Sequence, residues 1–152
     1  PEGGHVAIAP LDGDEFGGYS WGARSPYSGI NTVEGLTSSV ALTERLEWSK
    51  NGDGCDEKRA GGDDAEMRDA LKNLPDDHPI WDHAANALAN LCVLLALLVS
   101  VEKIVLGGGV MRRTVLFDMV RKQTKKILNG YLDLPQVTTE EGLGEFIAGS
   151  AW

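Results

Sequence analysis

The chain has 152 residues, of which 42% are hydrophobic and 24% are charged, proportions that fit one soluble globular domain with one sizeable core. Its formal net charge of −9 argues against a nucleic-acid-binding surface, because such surfaces need a clustered basic face. The two cysteines, Cys55 and Cys92, supply neither a disulfide framework nor the spacing of a metal site, which fits a reducing compartment.

The first part of the chain is predicted to contain one strand, one helix and two polar loops. A short apolar run at residues 6–9 predicts a strand, and the Gly-, Asp- and Ser-rich residues 11–28 predict a loop. Asn31 and Glu34 have the spacing of a capping box, so we expect a helix to begin near Asn31. Residues 50–63 are polar and glycine-rich, and we expect a mobile surface loop there.

Helices then alternate with short strands to the end of the chain. Residues 63–74 predict a short helix, and residues 79–100 predict a long helix whose first turn accommodates Pro79. A strand is predicted at residues 103–106, an amphipathic helix over residues 115–128 and a last strand at residues 145–148. This order predicts a layered α/β or α+β domain, with strands flanked by helices.

The long helix is apolar nearly all round after Ala84, which is typical of a helix buried against a sheet. Its thiol, Cys92, is therefore expected to be buried and to behave as a small hydrophobic group. The longest apolar stretch, residues 87–101, contains Asn90 and falls short of the roughly 20 apolar residues that a membrane span needs. We therefore expect a protein that does not enter a membrane.

Three places in the sequence could bind a ligand, and each has a purely structural alternative. Glycines 107–109 join a strand to a helix, so they could admit an anionic ligand to the backbone or simply form a tight turn. Glu2 and His5 could hydrogen-bond to the hydroxyls of a sugar, or be two polar residues at a strand end. Glu34 could also bind a ligand, or only cap its helix.

Five segments carry motifs in an order that is specific to one family. They are Glu2-Gly3-Gly4-His5, residues 25–36, residues 78–82, residues 102–111 and residues 128–132. In these segments the chain resembles the ROK (repressor, ORF, kinase) family of sugar kinases, and within it the fructokinases. The resemblance covers most of the chain apart from residues 50–63.

The resemblance implies a ribonuclease H-like ATPase fold, as in actin, Hsp70 and sugar kinases. Residues 1–152 would be a partial C-terminal lobe, with the N-terminal lobe absent. The family's general-base aspartate lies upstream of the first motif, so the chain alone is expected to be inactive. The intact protein is expected to be a cytoplasmic homodimer.

The resemblance also implies an activity and a set of site residues. Glu2, His5 and Glu34 would contact the sugar, and Gly107, Gly108 and Gly109 would contact the nucleotide. The expected reaction is the ATP- and Mg²⁺-dependent phosphorylation of a hexose, D-fructose to fructose 6-phosphate.

One departure from the family concerns its zinc loop. The positions of the cysteine and histidine ligands read Ser25, Ser28 and Thr32 in this chain. Hydroxyl groups are poor zinc ligands compared with thiolate or imidazole, so we expect no bound zinc.

Several alternatives stay open from the sequence. A glucokinase, an N-acetylmannosamine kinase or a non-catalytic sugar-binding regulator of the same family would share the sugar motif. Arg112 and Arg113 follow the glycines and could reach a phosphate, although we expect them to be solvated residues at a helix start.

Overall fold

The computed structural model describes residues 3–19, 30–51 and 69–150, which form helices layered beside a small parallel sheet. The helices are α1 (Val33–Thr37), α2 (Ser39–Asn51), α3 (Ile80–Leu94), α4 (Val115–Leu128), α5 (Pro135–Thr138) and α6 (Glu140–Phe146). The strands are β1 (Ile104–Leu106) and β2 (Ile147–Gly149). Single helical turns lie at Gly3–His5 and Val110–Arg112, and α3 continues as a π-helical turn over Leu95–Val99. This mixed architecture agrees with the predicted α/β class.

The two strands pair in parallel, with Ile104 opposite Ile147 and Leu106 opposite Gly149. Helices α4 to α6 form the crossover between them, so the carboxyl ends of both strands meet at one edge of the sheet. The predicted strand at residues 103–106 is confirmed as β1. The last strand begins later than predicted, because residues 145–146 complete α6.

Helix α3 lies between two hydrophobic clusters. Its small side chains, among them the fully buried Ala84 and Ala89, allow α4 to pack closely against it. On its other side, Ala87 packs in a second cluster with residues of α1. Cys92 is buried, as predicted, and this burial raises the pKa of its thiol to about 12. The thiol is therefore protonated and unreactive at neutral pH. The second cysteine, Cys55, lies outside the described residues.

The far end of the long helix differs from the prediction. It ends at Ser100 as expected, where the backbone turns left-handed with φ 54°. However, Leu98 is 77% exposed and Val99 is 61% exposed, because the described elements cover only the earlier turns. By length and composition alone, Ile80–Val99 is the one helix among the described residues that could cross a membrane. The first turns of this helix are buried in both hydrophobic clusters, which is typical of a core helix.

The N-terminal segment is attached without a regular strand. The predicted strand at residues 6–9 is wrong, because only a single antiparallel bridge joins Ala7 to Thr32. The Ile8 N–H donates to the Asn31 carbonyl at 2.9 Å, and the Val33 N–H donates to the Val6 carbonyl at 3.0 Å. The segment that pairs with Ala7 enters α1 at Val33, immediately after Thr32, so the strand pairing cannot continue.

The first predicted helix is divided into α1 and α2 at Ser38. Ser38 is extended, with φ −64° and ψ 155°, and its Oγ accepts a hydrogen bond from the Ala41 N–H at 3.2 Å. A serine in this position competes with the helix by capping the next one. The predicted helix over residues 63–74 is described only at its end, where residues 69–72 are helical. The predicted mobile loop began at Lys50, but Lys50 and Asn51 complete α2. The rest of that loop, residues 52–63, lies outside the described residues.

A buried charge cluster links the N-terminal segment to α2 and α3. Arg45 donates two hydrogen bonds to the Asp14 carboxylate, at 2.9 and 2.7 Å, and its guanidinium lies 4.5 Å from the centre of the Phe16 ring. His83 Nδ1 lies 3.1 Å from Asp14 Oδ2, and since a carboxylate only accepts, Nδ1 carries the proton. The side chains of Asp14 and Arg45 are 4% and 5% exposed, so the pair is shielded from solvent.

This cluster makes the protein sensitive to acid. Burial and the charge of Arg45 lower the pKa of His83 more than Asp14 raises it. Burial raises the pKa of Asp14, but the hydrogen bonds and charge of Arg45 lower it more, so the net shift is downward. Both folded pKa values lie below the unfolded ones. The contribution of this cluster to the free energy of unfolding is therefore complete above about pH 6.5. It falls as His83 protonates, and it falls again below about pH 4 as Asp14 protonates.

We therefore expect the melting temperature to fall between about pH 7 and about pH 5, and His83→Gln to reduce that fall. Glutamine keeps a donor for Asp14 but does not titrate. An equal fall in the two proteins would contradict the assignment to His83.

Candidate functional site

The first motif of the chain packs directly on Glu34. The turn Gly3–His5 contacts α1, and a Cβ built at Gly4 would lie 3.2 Å from Glu34 Cβ and 3.5 Å from its Oε2. His5 is half-buried in this turn, whereas Glu2 lies outside the described residues. The structure therefore places the motif around His5 and the glutamate of α1 side by side, although they are about 30 residues apart in the sequence.

Glu34 does not belong to a capping box, and that prediction is wrong. Asn31 has a left-handed backbone with φ 55°, and Thr32 is the N-cap of α1. The Thr32 Oγ1 accepts a hydrogen bond from the Gly35 N–H at 3.1 Å. The carboxylate of Glu34 is half-buried and makes no hydrogen bond or ion pair with any residue that the structure describes. It is therefore available to accept hydrogen bonds from a ligand.

A close backbone crossing fixes the start of α1. A Cβ built at Gly35 would lie 2.7 Å from the Tyr19 carbonyl oxygen, and the Tyr19 N–H donates to the Gly35 carbonyl at 2.6 Å. Gly18 has φ +88°, and a Cβ there would lie 2.9 Å from the Gly35 carbonyl oxygen. Only glycine fits these two positions. Sequence reasoning missed both, although a glycine in the first turn of a helix indicates a close packing contact.

The zinc-loop positions are described only in part. Ser25 and Ser28 lie outside the described residues. Thr32 is buried, and its hydroxyl caps α1, so it does not suit a metal ligand. Within the described ranges, no group of three or more His, Cys, Asp or Glu side chains could hold a metal ion. The expectation of no bound zinc stays a prediction.

The glycine turn, residues 107–109, lies at the carboxyl edge of the sheet. It follows β1 directly, and Gly108 has φ +99°. A Cβ built at Gly108 or Gly109 would meet no heavy atom within 4 Å, so the turn faces open space. A Cβ at Gly107 would lie 2.8 Å from the hydroxyl of Ser150, which follows β2. Ligands of open parallel sheets bind at this edge. Sequence reasoning missed Ser150, because its proximity depends on strand pairing.

The two arginines after the turn have different environments. Arg112 is exposed, as predicted. Arg113 is not a solvated residue, because its side chain is only 15% exposed and its guanidinium lies 4.2 Å from the centre of the Trp81 ring. It donates to the carbonyls of Leu71 and Lys72 at 3.0 and 3.1 Å. The carbonyls near the end of the helical residues 69–72 thereby gain a donor.

Comparison with known proteins gives the family. The ROK family model matches residues 2–149. A fructokinase from Pediococcus pentosaceus is 31% identical over 132 residues, which are 87% of this chain and 36% of that protein. A fructokinase from Zymomonas mobilis is 32% identical over 149 residues, 95% of this chain and 41% of that protein. A putative fructokinase from Bacillus subtilis is 27% identical over 140 residues, 92% of this chain and 38% of that protein.

This chain therefore spans between 36% and 41% of the length of these three relatives. The family match covers nearly all of the chain, and these three relatives are named fructokinase or putative fructokinase. The chain belongs to the ROK family and is similar to the fructokinases within it.

Proposed function

We propose that this chain supplies the sugar-orienting and nucleotide-contacting residues of an ATP-dependent hexose kinase that converts D-fructose to fructose 6-phosphate. One observation carries the sugar side of the proposal. The Glu34 carboxylate lies against Gly4 of the first motif and is unpaired among the described residues. The names of the fructokinase relatives support D-fructose as the hexose.

On the sugar side, Glu34 would accept hydrogen bonds from hexose hydroxyls, and His5 and Glu2 would bind others. Hydrogen bonds to an ionised carboxylate contribute about 1.5–3 kcal/mol each, more than neutral ones do. Glycine at position 4 keeps the backbone close to Glu34, because a side chain there would press on it. These residues would orient the sugar, and phosphoryl transfer depends largely on such positioning.

On the nucleotide side, Gly107, Gly108 and Gly109 would form a wall that ATP approaches at the backbone. Mg²⁺ would accompany ATP and neutralise charge on its phosphates. The intact enzyme is proposed to be a cytoplasmic homodimer.

The proposal is tested by amide NMR spectra of the ¹⁵N-labelled chain, whose mass of 16.3 kDa suits the method. We expect Mg²⁺–ATP to shift the amides of residues 107–109, and D-fructose to shift those of residues 3–5 and of Gly35. D-glucose and N-acetylmannosamine in parallel titrations compare the alternative hexoses. Sugar shifts without any nucleotide shift would favour a non-catalytic regulator, and no shift with either ligand would contradict the proposal.

A further inference from the structure

The glycine turn has no side chain with which to fix its own position. Its three glycines are exposed, and an unrestrained glycine loses more conformational entropy on ordering than any other residue. The turn must therefore be held from its two ends. At the entry, the Ser150 N–H donates to the Leu106 carbonyl at 3.0 Å, which ties the end of β1 to β2.

At the exit, the chain makes one helical turn, Val110–Arg112, and then reaches Arg113. The Arg113 N–H donates to the Val110 carbonyl at 3.1 Å, and its own carbonyl accepts from the Leu116 N–H at 3.1 Å. Arg113 thus joins the short turn to α4. Met111 is buried in the core, but its apolar contacts do not set a direction as hydrogen bonds do.

The Arg113 side chain connects this exit to two other elements. It contacts Trp81 in the first turn of α3, pairs with Asp76, and donates to the carbonyls of residues 71 and 72. The Trp81 Nε1–H in turn donates to the Pro75 carbonyl at 2.8 Å. A planar guanidinium with several donors can hold such an arrangement, which an ammonium group cannot reproduce.

We infer that Arg113 is a positioning residue for the nucleotide, acting through the glycine turn and not by contact with phosphate. Both of its terminal nitrogens already donate to protein oxygens, so it is poorly placed to serve a ligand as well. The inference rests on the proposed function, since it concerns the nucleotide side of that site. It replaces both sequence interpretations of this residue, the phosphate ligand and the solvated helix start.

The test compares Arg113→Met with a matched control, Arg121→Met. Arg121 resembles Arg113 in its contacts, because it donates to the Ile147 carbonyl and to Asp118 and lies 5.7 Å from the centre of the Phe117 ring. Ile147, however, is at the amino end of β2, opposite the edge that carries the glycine turn. Loss of Arg121 should therefore lower stability without moving the turn.

For Arg113→Met we expect the dissociation constant for Mg²⁺–ATP to rise about tenfold, with D-fructose affinity unchanged within about twofold. For Arg121→Met both affinities should stay within about twofold of those of the unaltered chain, although its melting temperature falls. Arg113→Lys should be intermediate, because one ammonium keeps the charge but not the planar set of donors. The NMR signal of the Trp81 indole N–H reports independently whether the contacts of the Arg113 side chain are lost.

Equal ATP affinities in Arg113→Met and Arg121→Met would overturn this inference alone, provided that the unaltered chain binds ATP. An unaltered chain that binds no ATP would overturn the proposed function together with it. If Arg113→Met does not fold, Arg113→Lys and Asp76→Asn replace it, and unchanged ATP affinity in both would overturn the inference.

Discussion

Replacing Asp14 by asparagine is expected to destabilise the protein by about 3–5 kcal/mol, because it leaves a buried arginine without its counter-charge. Arg45 is 5% exposed, and its Nε already lacks a hydrogen-bond partner among the described residues. The asparagine keeps the shape of the side chain, but its amide nitrogen would donate where Arg45 and His83 also donate. For a chain of this length, the melting temperature should fall by roughly 6–20 °C.

The control is Asp118→Asn, which removes the same charge from another arginine pair. Asp118 binds Arg121 at 3.1 Å, but its side chain is 84% exposed, so its loss should cost less than about 1 kcal/mol. The free energies of unfolding of the two variants, measured by urea denaturation, separate the effect of burying an ion pair from the effect of pairing alone. Similar losses of stability in both would show that the Asp14 pair is not energetically special.

Replacing Glu34 by glutamine is expected to weaken hexose binding more than tenfold, while stability changes little. Loss of a charge-assisted hydrogen bond costs about 1.5–3 kcal/mol of affinity. Thr32, not Glu34, caps α1, so the stability effect is limited to the loss of a negative charge at the helix start, about 0.3–1 kcal/mol. Titration with D-fructose and thermal unfolding measure the two effects separately.

Helix α6 provides a matched control for this substitution. Its N-cap Thr139 accepts from the Gly142 N–H at 3.0 Å, and Glu141 occupies the position that Glu34 has in α1. Glu141→Gln should therefore cost similar stability and leave hexose affinity unchanged. If Glu34→Gln lowers only the melting temperature, the sugar assignment would depend on Glu2 and His5 alone.

Local sequence signals predicted the elements whose boundaries are set locally. The β-branched run before the glycines became β1, and α4 ends at Leu128 as predicted, where Asn129 has a left-handed backbone with φ 45°. The cap of α1 was misplaced by one residue, because the chain crossing at Gly35 fixes where the helix begins. No local pattern could place that crossing.

The contacts of Asp14 and Arg113 could not be predicted from local sequence patterns for the same reason. Asp14 binds residues 31 and 69 positions away, and Arg113 binds carbonyls 41 and 42 positions away. Charged residues of these types are usually solvated, so composition favoured the wrong environment for Arg113. The family was predicted correctly because its motifs occur in a specific order. Membership implies the ribonuclease H-like fold, with which the parallel sheet and its helices are consistent.

The attachment of the N-terminal segment has a consequence for partial unfolding. Residues 3–19 are held by one bridge, by the charge cluster, by the crossing of Tyr19 at Gly35, and by Ile8 and Phe16 in the second hydrophobic cluster. A hydrogen bond of 2.9 Å from Asn86 to the Ala9 carbonyl also joins residues 77 positions apart. Without a continuous ladder, this segment can detach while α3, α4 and the sheet stay folded. Detachment would remove Gly4 from Glu34 and leave the glycine turn intact. D-fructose should therefore slow amide hydrogen exchange in this segment, and ATP should not.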